Sequence, residues 1–200
     1  MADAAIEWEG PLGLEDELAQ LRRGDLNALA ALLARYQNRL YRYLLRLVRE
    51  TSTAEDLFQQ TWLRVAQKIR SYDSRRNFDA WLFSVARNLA IDHLRRHRPE
   101  SLDEPLAFGE TRAERTPAAG PDAFELLLAR ERTSLLMSAL EKLPAIYREV
   151  LTLRFEEEMK IEEVAAVLDA PLSTVKTRLR RALEALRREF ETAAPARDWQ

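Results

Sequence analysis

The sequence runs to 200 residues, 46% of them hydrophobic and 32% charged, with a formal net charge of -2 and no cysteine. Without cysteine, disulfides and thiolate metal sites are excluded, and nothing in the composition asks for an oxidising compartment. Few glycines and few aromatics favour soluble helices over a sheet sandwich, so an all-α fold is expected.

The stretch Met1 to Leu21 holds six acids and no base, the reverse of a signal peptide's charged start. No apolar run approaches the roughly 20 residues that cross a bilayer. Residues 1–22 are set apart as an acidic N-terminal segment, and the chain is expected in the cytoplasm without membrane insertion.

From Asp25, a residue type that caps helix N-termini, apolar residues recur at Leu26, Leu29, Leu32, Leu33, Tyr36, Leu40, Tyr43, Leu44 and Leu47. That spacing is the stripe of a long amphipathic helix. The run Ser52, Thr53, Ala54, Glu55 has the pattern of a capping box opening a second helix, with Leu57, Phe58, Trp62, Val65 and Ile69 buried and its end near Tyr72 and Asp73. A third helix starts after Asn77, turns Phe78, Trp81, Leu82, Val85, Leu89 and Leu94 inward, and runs out in Arg95, Arg96, His97 and Arg98. Residues 23–98 thus make one small helical domain.

From 99 to 122 the periodicity gives way to Pro105, Gly109, Pro117, Gly120 and Pro121 among acids and small residues, the composition of a flexible linker. Helical pattern returns at Phe124 and runs to Leu143. Pro144 suits the first turn of a helix carrying Ile146, Val150, Leu151, Leu153 and Phe155. Two shorter helices follow, Ile161 to Leu168 and Leu172 to Phe190, giving a second domain over 123–191 and a tail over 192–200.

The small net charge hides a segregation. Trp62 to Arg98 carries nine Lys or Arg against three Asp, Leu172 to Phe190 carries six against two Glu, and Pro99 to Glu131 holds eight acids against three arginines. Two basic segments flanking an acidic one fit two separate anion-binding surfaces.

The second basic segment sits in a recognisable motif. Ile161 to Leu183 reads IEEVAAVLDAPLSTVKTRLRRAL, a short helix, a turn at Asp169, Ala170 and Pro171, and a longer arginine-rich helix, which is the pattern of a helix-turn-helix. Val164, Leu168, Val175, Leu179 and Leu183 supply the inward faces, and Ala165 is small where the helices would cross. Ser173, Thr174, Lys176, Thr177, Arg180 and Arg181, with Arg178 on the flank, form a face suited to a DNA major groove, where Arg and Lys donate to guanine edges and phosphates. A helical hairpin with a solvated basic face would use the same residues, but the small residue, the short turn and the polar start of the second helix match the docking geometry of DNA readers.

Two stretches resemble the conserved regions of the extracytoplasmic-function sigma factors of the sigma-70 family. RRGDLNALAALLARYQNRLYRYLLRLV, STAEDLFQQTWLRVAQKIRSYD and FDAWLFSVARNLAIDHLRRHRP are similar to region 2, and LEKLPAIYREVLTLRFEEEMKIEEVAAVLDAPLSTVKTRLRRALEALR to region 4. The resemblance implies that region 4 reads a promoter's minus-thirty-five element as duplex. Region 2 would bind the minus-ten element and help open it, both while the chain is bound to core RNA polymerase.

Carried over by position, Glu55, Asp56, Gln59 and Gln60 lie on the helix that docks on the clamp helices of the largest polymerase subunit; the same residues would also serve an ordinary helix start. Tyr72 and Asn88 match positions around the pocket for a flipped minus-ten base, where an aromatic and an amide suit stacking and edge hydrogen bonds. Asn88 lies off the apolar stripe, beside Phe83, Arg87 and Ile91. Arg87, Arg95 and Arg96 are candidate phosphate contacts, although basic residues at a helix end also favour the helix dipole. Trp81 could wedge between or stack on bases during strand opening, while its spacing with Phe78 and Val85 favours the core. Members of the family are often held by an anti-sigma protein, a candidate partner here.

The sequence departs from the family at Glu158 and Asp169, where glycine is common, and at Lys160, where Ser or Thr usually caps. No cofactor, metal site or catalytic constellation is expected: His93 and His97 have zinc-pair spacing but no third ligand, and Glu156, Glu157 and Glu158 have no nucleophile or phosphate loop beside them in sequence. Two rival readings stay open at this point, a helix-turn-helix regulator acting without polymerase and a nucleic-acid-processing enzyme that uses its basic helices for grip.

Overall fold

The structure, a computed structural model, describes residues 13–97 and 135–193. The described residues are helical and contain no strand, in two helical domains. The region 99–122 read as a linker, most of the helix expected from Phe124 and all but the first two residues of the C-terminal tail lie outside the described residues.

The first domain is built around α2, Leu26–Val48. Its start is the one expected: the Asp25 carboxylate accepts the Asn27 backbone N–H at 2.8 Å, satisfying one of the amide donors that a helix leaves open at its N-terminus. Leu32, Tyr36, Leu40, Tyr43, Leu44 and Leu47 are buried along one face. Leu26 is not; at 76% exposed it stands in the first turn, before the helix meets a neighbour. Against α2 pack α3, Thr51–Lys68, and α4, Phe78–His97. Asn77 caps α4 through Oδ1, which accepts the Ala80 N–H at 3.0 Å.

The capping box expected at Ser52 to Glu55 does not form. The helix begins earlier, and the Ser52 and Thr53 hydroxyls donate to the Glu50 carboxylate at 3.0 and 2.6 Å. Glu50 competes because it sits one turn back, within reach of both hydroxyls. The acidic segment also holds a helix that the sequence reading left out: α1, Leu14–Arg22, packs on α2 through buried Leu18 and Leu21. Glu17, 3% exposed, accepts from Arg35 at 3.2 and 2.8 Å, a bidentate pair that ties α1 to α2. Gly24, at φ 92, makes the turn between them, a left-handed backbone that glycine adopts without a Cβ penalty.

In the second domain, helical residues 135–142 (α5) lead to Pro144, which stands at the cap of α6, Ala145–Leu151, rather than inside its first turn. A π-helical turn, Thr152–Glu156, follows. Its extra residue per turn shifts the phase of the apolar stripe, so Leu153 is buried while Phe155 is 56% exposed. Ile146 also faces outward. The last helices are α7, Ile161–Leu168, and α8, Leu172–Ala193.

Candidate nucleic-acid interface

The helix-turn-helix forms over the residues expected. At its turn Asp169 takes the left-handed conformation, φ 48 and ψ 51, and its N–H reaches the Ala165 carbonyl. A short polar side chain tolerates that backbone better than most, which is how the chain makes the turn without glycine. Glu158 does the same at φ 55 before α7. Lys160 begins α7 without an accepting side chain, and the Glu163 carboxylate takes the Lys160 N–H at 2.7 Å instead, doing half the work of a capping box.

Val164, Val167, Leu168, Val175 and Ala182 are buried and hold α7 to α8 and to the rest of the domain. Leu183, expected inward, is 42% exposed because the buried face runs through Val175 and Ala182, one position to the side. On the opposite face Ser173, Lys176, Thr177, Arg180 and Arg181 are exposed, with Thr174 and Arg178 half-buried at its edges. Arg180 donates to Glu184 at 2.7 Å one turn on. The result is a polar, cationic helix surface that stands clear of the protein at its N-terminal half.

The candidate residues of the first domain divide. Asn88, Arg95 and Arg96 are exposed on α4. Tyr72 is not presented for stacking: its ring is 7% exposed, tilted on Trp81 at 4.8 Å and edge-on to Phe78 at 5.7 Å. Its hydroxyl donates to the Arg76 carbonyl, and the Tyr72 backbone carbonyl accepts from the Arg22 guanidinium at 2.7 Å. What Tyr72 does present is the loop it anchors, with Ser74, Arg75, Arg76 and Asn77 exposed. Trp81 packs against the core, as its spacing predicted. Phe83, placed beside Asn88 on the open side, is instead fully buried against Tyr43 at 5.1 Å.

On α3, Glu55, Asp56, Gln59 and Gln60 are all exposed along one face. The structure adds Leu63, 64% exposed, one turn beyond Gln59. The sequence reading missed it, although a leucine off the buried stripe at that spacing was a legible signal.

The family model for sigma-70 region 2 matches residues 32–100, and that for sigma-70 region 4 matches 126–186. The ECF RNA polymerase sigma factor SigW of Bacillus subtilis is 31% identical over 88% of this chain and 96% of its own length. The chain belongs to the extracytoplasmic-function sigma factors of the sigma-70 family. Solved relatives agree: the structure of CnrH in complex with the cytosolic domain of CnrY has a TM-score of 0.62 at 26% identity, covering 90% of this chain and 97% of that one. The sigma factor RpoE in complex with the anti-sigma factor NepR from Bartonella quintana has a TM-score of 0.60 at 26% identity, covering 80% and 94%.

In this sigma factor the two domains are packed together, α4 of region 2 along α7 of region 4. Arg87, expected among the phosphate contacts, is turned into that seam: its Nε donates to Glu149 Oε1 at 2.8 Å, and the Tyr43 hydroxyl donates to the same oxygen at 3.1 Å. Arg87 is held more firmly protonated than usual although burial opposes it, because Glu149 and, more distantly, Tyr43 and Asp169 face it. Arg39 donates to Glu157 at 2.8 Å and also pairs with Asp79 at 3.0 Å. Arg46 reaches Thr152 at 3.3 Å and pairs with Glu156. The Glu156 to Glu158 run is in part an interdomain contact, since Glu157 is only 6% exposed. The sequence offered no sign of this, because these partners are up to 118 residues apart.

This sigma factor directs transcription initiation with RNA polymerase. Among the described residues no helix is long and apolar enough to cross a membrane, and no group of potential metal ligands gathers.

Proposed function

We propose that α8 reads the minus-thirty-five element as duplex DNA, through Ser173, Lys176, Thr177, Arg178, Arg180 and Arg181. The single observation that carries this reading is the exposed cationic face at the start of α8, held out by a packed helix-turn-helix. Such a helix start is what enters a major groove, the polar residues touching base edges and the arginines touching guanine or phosphate. Region 2 meets the minus-ten element with Asn88, Arg95, Arg96 and the loop that Tyr72 anchors, and Arg87 joins them once it leaves the seam.

The α3 face of Glu55, Asp56, Gln59, Gln60 and Leu63 docks on the largest subunit of core polymerase. An exposed leucine ringed by polar side chains suits a small interface core with a polar rim. The chain itself performs no catalysis and acts in the cytoplasm. The solved relatives bound to anti-sigma partners support an anti-sigma protein as a further partner.

Reconstitution tests the reading. Purified chain added to core polymerase should yield transcripts from discrete start sites on fragmented genomic DNA, and Leu63→Asp should abolish them while leaving the helical circular dichroism unchanged. Sequence-specific DNA binding without polymerase and without such transcripts would favour a free-standing regulator. DNA cleavage by the chain alone would favour an enzyme.

A further inference from the structure

The connection between α3 and α4 is ordered mostly by its own groups. The Asp73 carboxylate accepts the Arg75 N–H at 3.1 Å and pairs with the Arg75 guanidinium at 2.9 Å. The Arg76 N–H reaches the Asp73 carbonyl at 3.0 Å, the Tyr72 hydroxyl donates to the Arg76 carbonyl, and Asn77 caps α4. Among the described residues, one hydrogen bond enters this stretch from outside residues 68–81: the Arg22 guanidinium donates to the Tyr72 carbonyl at 2.7 Å.

Arg22 is held where it can do this. It ends α1, is half-buried, and lies over the Tyr72 ring at 5.5 Å from its centre. Its charge also reaches Asp73, whose carboxyl is held below the usual range first by Arg75 and, at longer range, by Arg76 and Arg22. α1 is seated in turn by buried Leu18 and Leu21 and by Glu17, which pairs with Arg35 at 2.8 Å. It also packs on the 3-10 turn Ile69–Ser71 that leads into Tyr72. One guanidinium therefore grips both the carbonyl and the ring of Tyr72, and the Tyr72 hydroxyl passes that position on to Arg76.

We propose that α1 is a specificity element for the minus-ten sequence, with Arg22 as its positioning residue. It acts on DNA only through the loop, holding exposed Ser74, Arg75, Arg76 and Asn77 in one shape before promoter binding. The inference rests on the proposed reading that this loop meets the minus-ten element. Discrimination between bases is a difference of binding free energies, and a surface free to re-pack accepts several partners nearly alike. A loop already ordered loses less entropy on binding and adjusts less to a wrong base. Arg22 faces the Tyr72 ring and carbonyl, so it shapes the reader without being part of it.

The test compares holoenzymes, each made from core polymerase and the full chain, on a promoter library randomised over the minus-ten element. Arg22→Ala should reduce the wild-type preference at one or two adjacent positions by about fivefold, the effect of losing one charge-assisted hydrogen bond, and leave the other positions as they were. Arg22→Lys, which keeps a donor and a cation, should recover part of the preference, and Arg22→Met should not. Glu17→Gln, which weakens the seat of α1 on Arg35, should relax the same positions, and combining it with Arg22→Ala should broaden the profile no further. Leu47→Ala is the control for general stability. Buried on α2 and roughly 30 Å along that helix from its first turn, it should lower the Tm without moving the profile. In the free chain, the Arg75 and Arg76 amides should exchange about fivefold faster in Arg22→Ala and near wild-type rates in Leu47→Ala.

An Arg22→Ala profile identical to wild type, or a Leu47→Ala profile broadened equally, would overturn the proposal. The underlying reading fails separately: if Arg75→Ala with Arg76→Ala leaves the preference at every minus-ten position intact, the loop is not a minus-ten reader, whatever Arg22 does.

Discussion

Arg22 lies over the ring of Tyr72, its guanidinium carbon 5.5 Å from the ring centre, while donating to the Tyr72 carbonyl at 2.7 Å. Helix α1 thereby fastens the loop between α3 and α4 from outside the stretch that the region 2 family model matches, which begins at residue 32. The ring is then held between this cation, the tilted ring of Trp81 and the edge-on ring of Phe78.

Removing that clasp should loosen the loop more than the fold. Arg22→Ala is expected to cost about 1–2 kcal/mol, the usual worth of a charge-assisted hydrogen bond and a cation–π contact, read as a Tm lowered by a few degrees. The same variant should broaden the holoenzyme's preference at minus-ten positions in a promoter library, and Arg22→Lys should restore part of it. An unchanged library profile with a lowered Tm would confine Arg22 to a purely stabilising role.

On α8, Arg180 shares its charge with Glu184, whereas Arg181 is exposed on the outer face. Arg181→Ala should weaken minus-thirty-five binding by about 1–3 kcal/mol if it reads a base edge. If it touches only phosphate, the loss should be uniform across sequences, with a shallower dependence on salt. Titrations of the holoenzyme on matched and mismatched promoters distinguish the two, and equal affinity for wild type and variant at every salt would remove Arg181 from the interface.

Glu158 carries a left-handed backbone on a side chain that is exposed. A non-glycine residue there costs about 1–2 kcal/mol in conformation, against roughly 0.5–1 kcal/mol of extra chain entropy that glycine loses on folding. Glu158→Gly should therefore stabilise by about 0.5–1 kcal/mol, and the β-branched Glu158→Val should destabilise. Thermal unfolding of both variants settles the sign.

Burial raises the Glu157 carboxyl above its ordinary range; Glu156 adds to the rise, and Arg39 and Arg42 oppose it. Arg39 is itself shared with Asp79. A raised folded-state pKa means the packed chain binds this proton more tightly than the unfolded one, so the Glu157 contribution improves as pH falls through the raised value and is complete below the usual carboxylate value of about 4.3. Glu157→Gln imitates the protonated group: its stability relative to wild type should be greatest near neutral pH and should fade on acidification. A difference that stays flat with pH, measured by denaturant unfolding, would contradict the assignment.

Much of the fold was legible because amphipathic periodicity is local. A stripe repeating every 3.6 residues marks α2 and α7 whatever they later pack against, and Asp25 and Asn77 cap through oxygens that reach only two or three residues ahead. The exposed face of α8 and the polar face of α3 followed from the same rule, since what is off the stripe faces out. The readings that failed were those settled by a competing neighbour or a shift of phase. Glu50 took the hydroxyls meant for a capping box, and the π-helical turn rotated Phe155 outward.

What only the tertiary structure decided is where the charges end up. Tyr72 looked available for stacking and is buried because α1 and α4 close over it. Arg87 looked available for phosphate and is held by Glu149, 62 residues away in sequence. Sequence determines which residues share a helix face; it carries no periodic mark for which two faces meet. An ion pair between distant helices is set by packing that brings the whole chain together, so the seam between regions 2 and 4 became visible only in three dimensions.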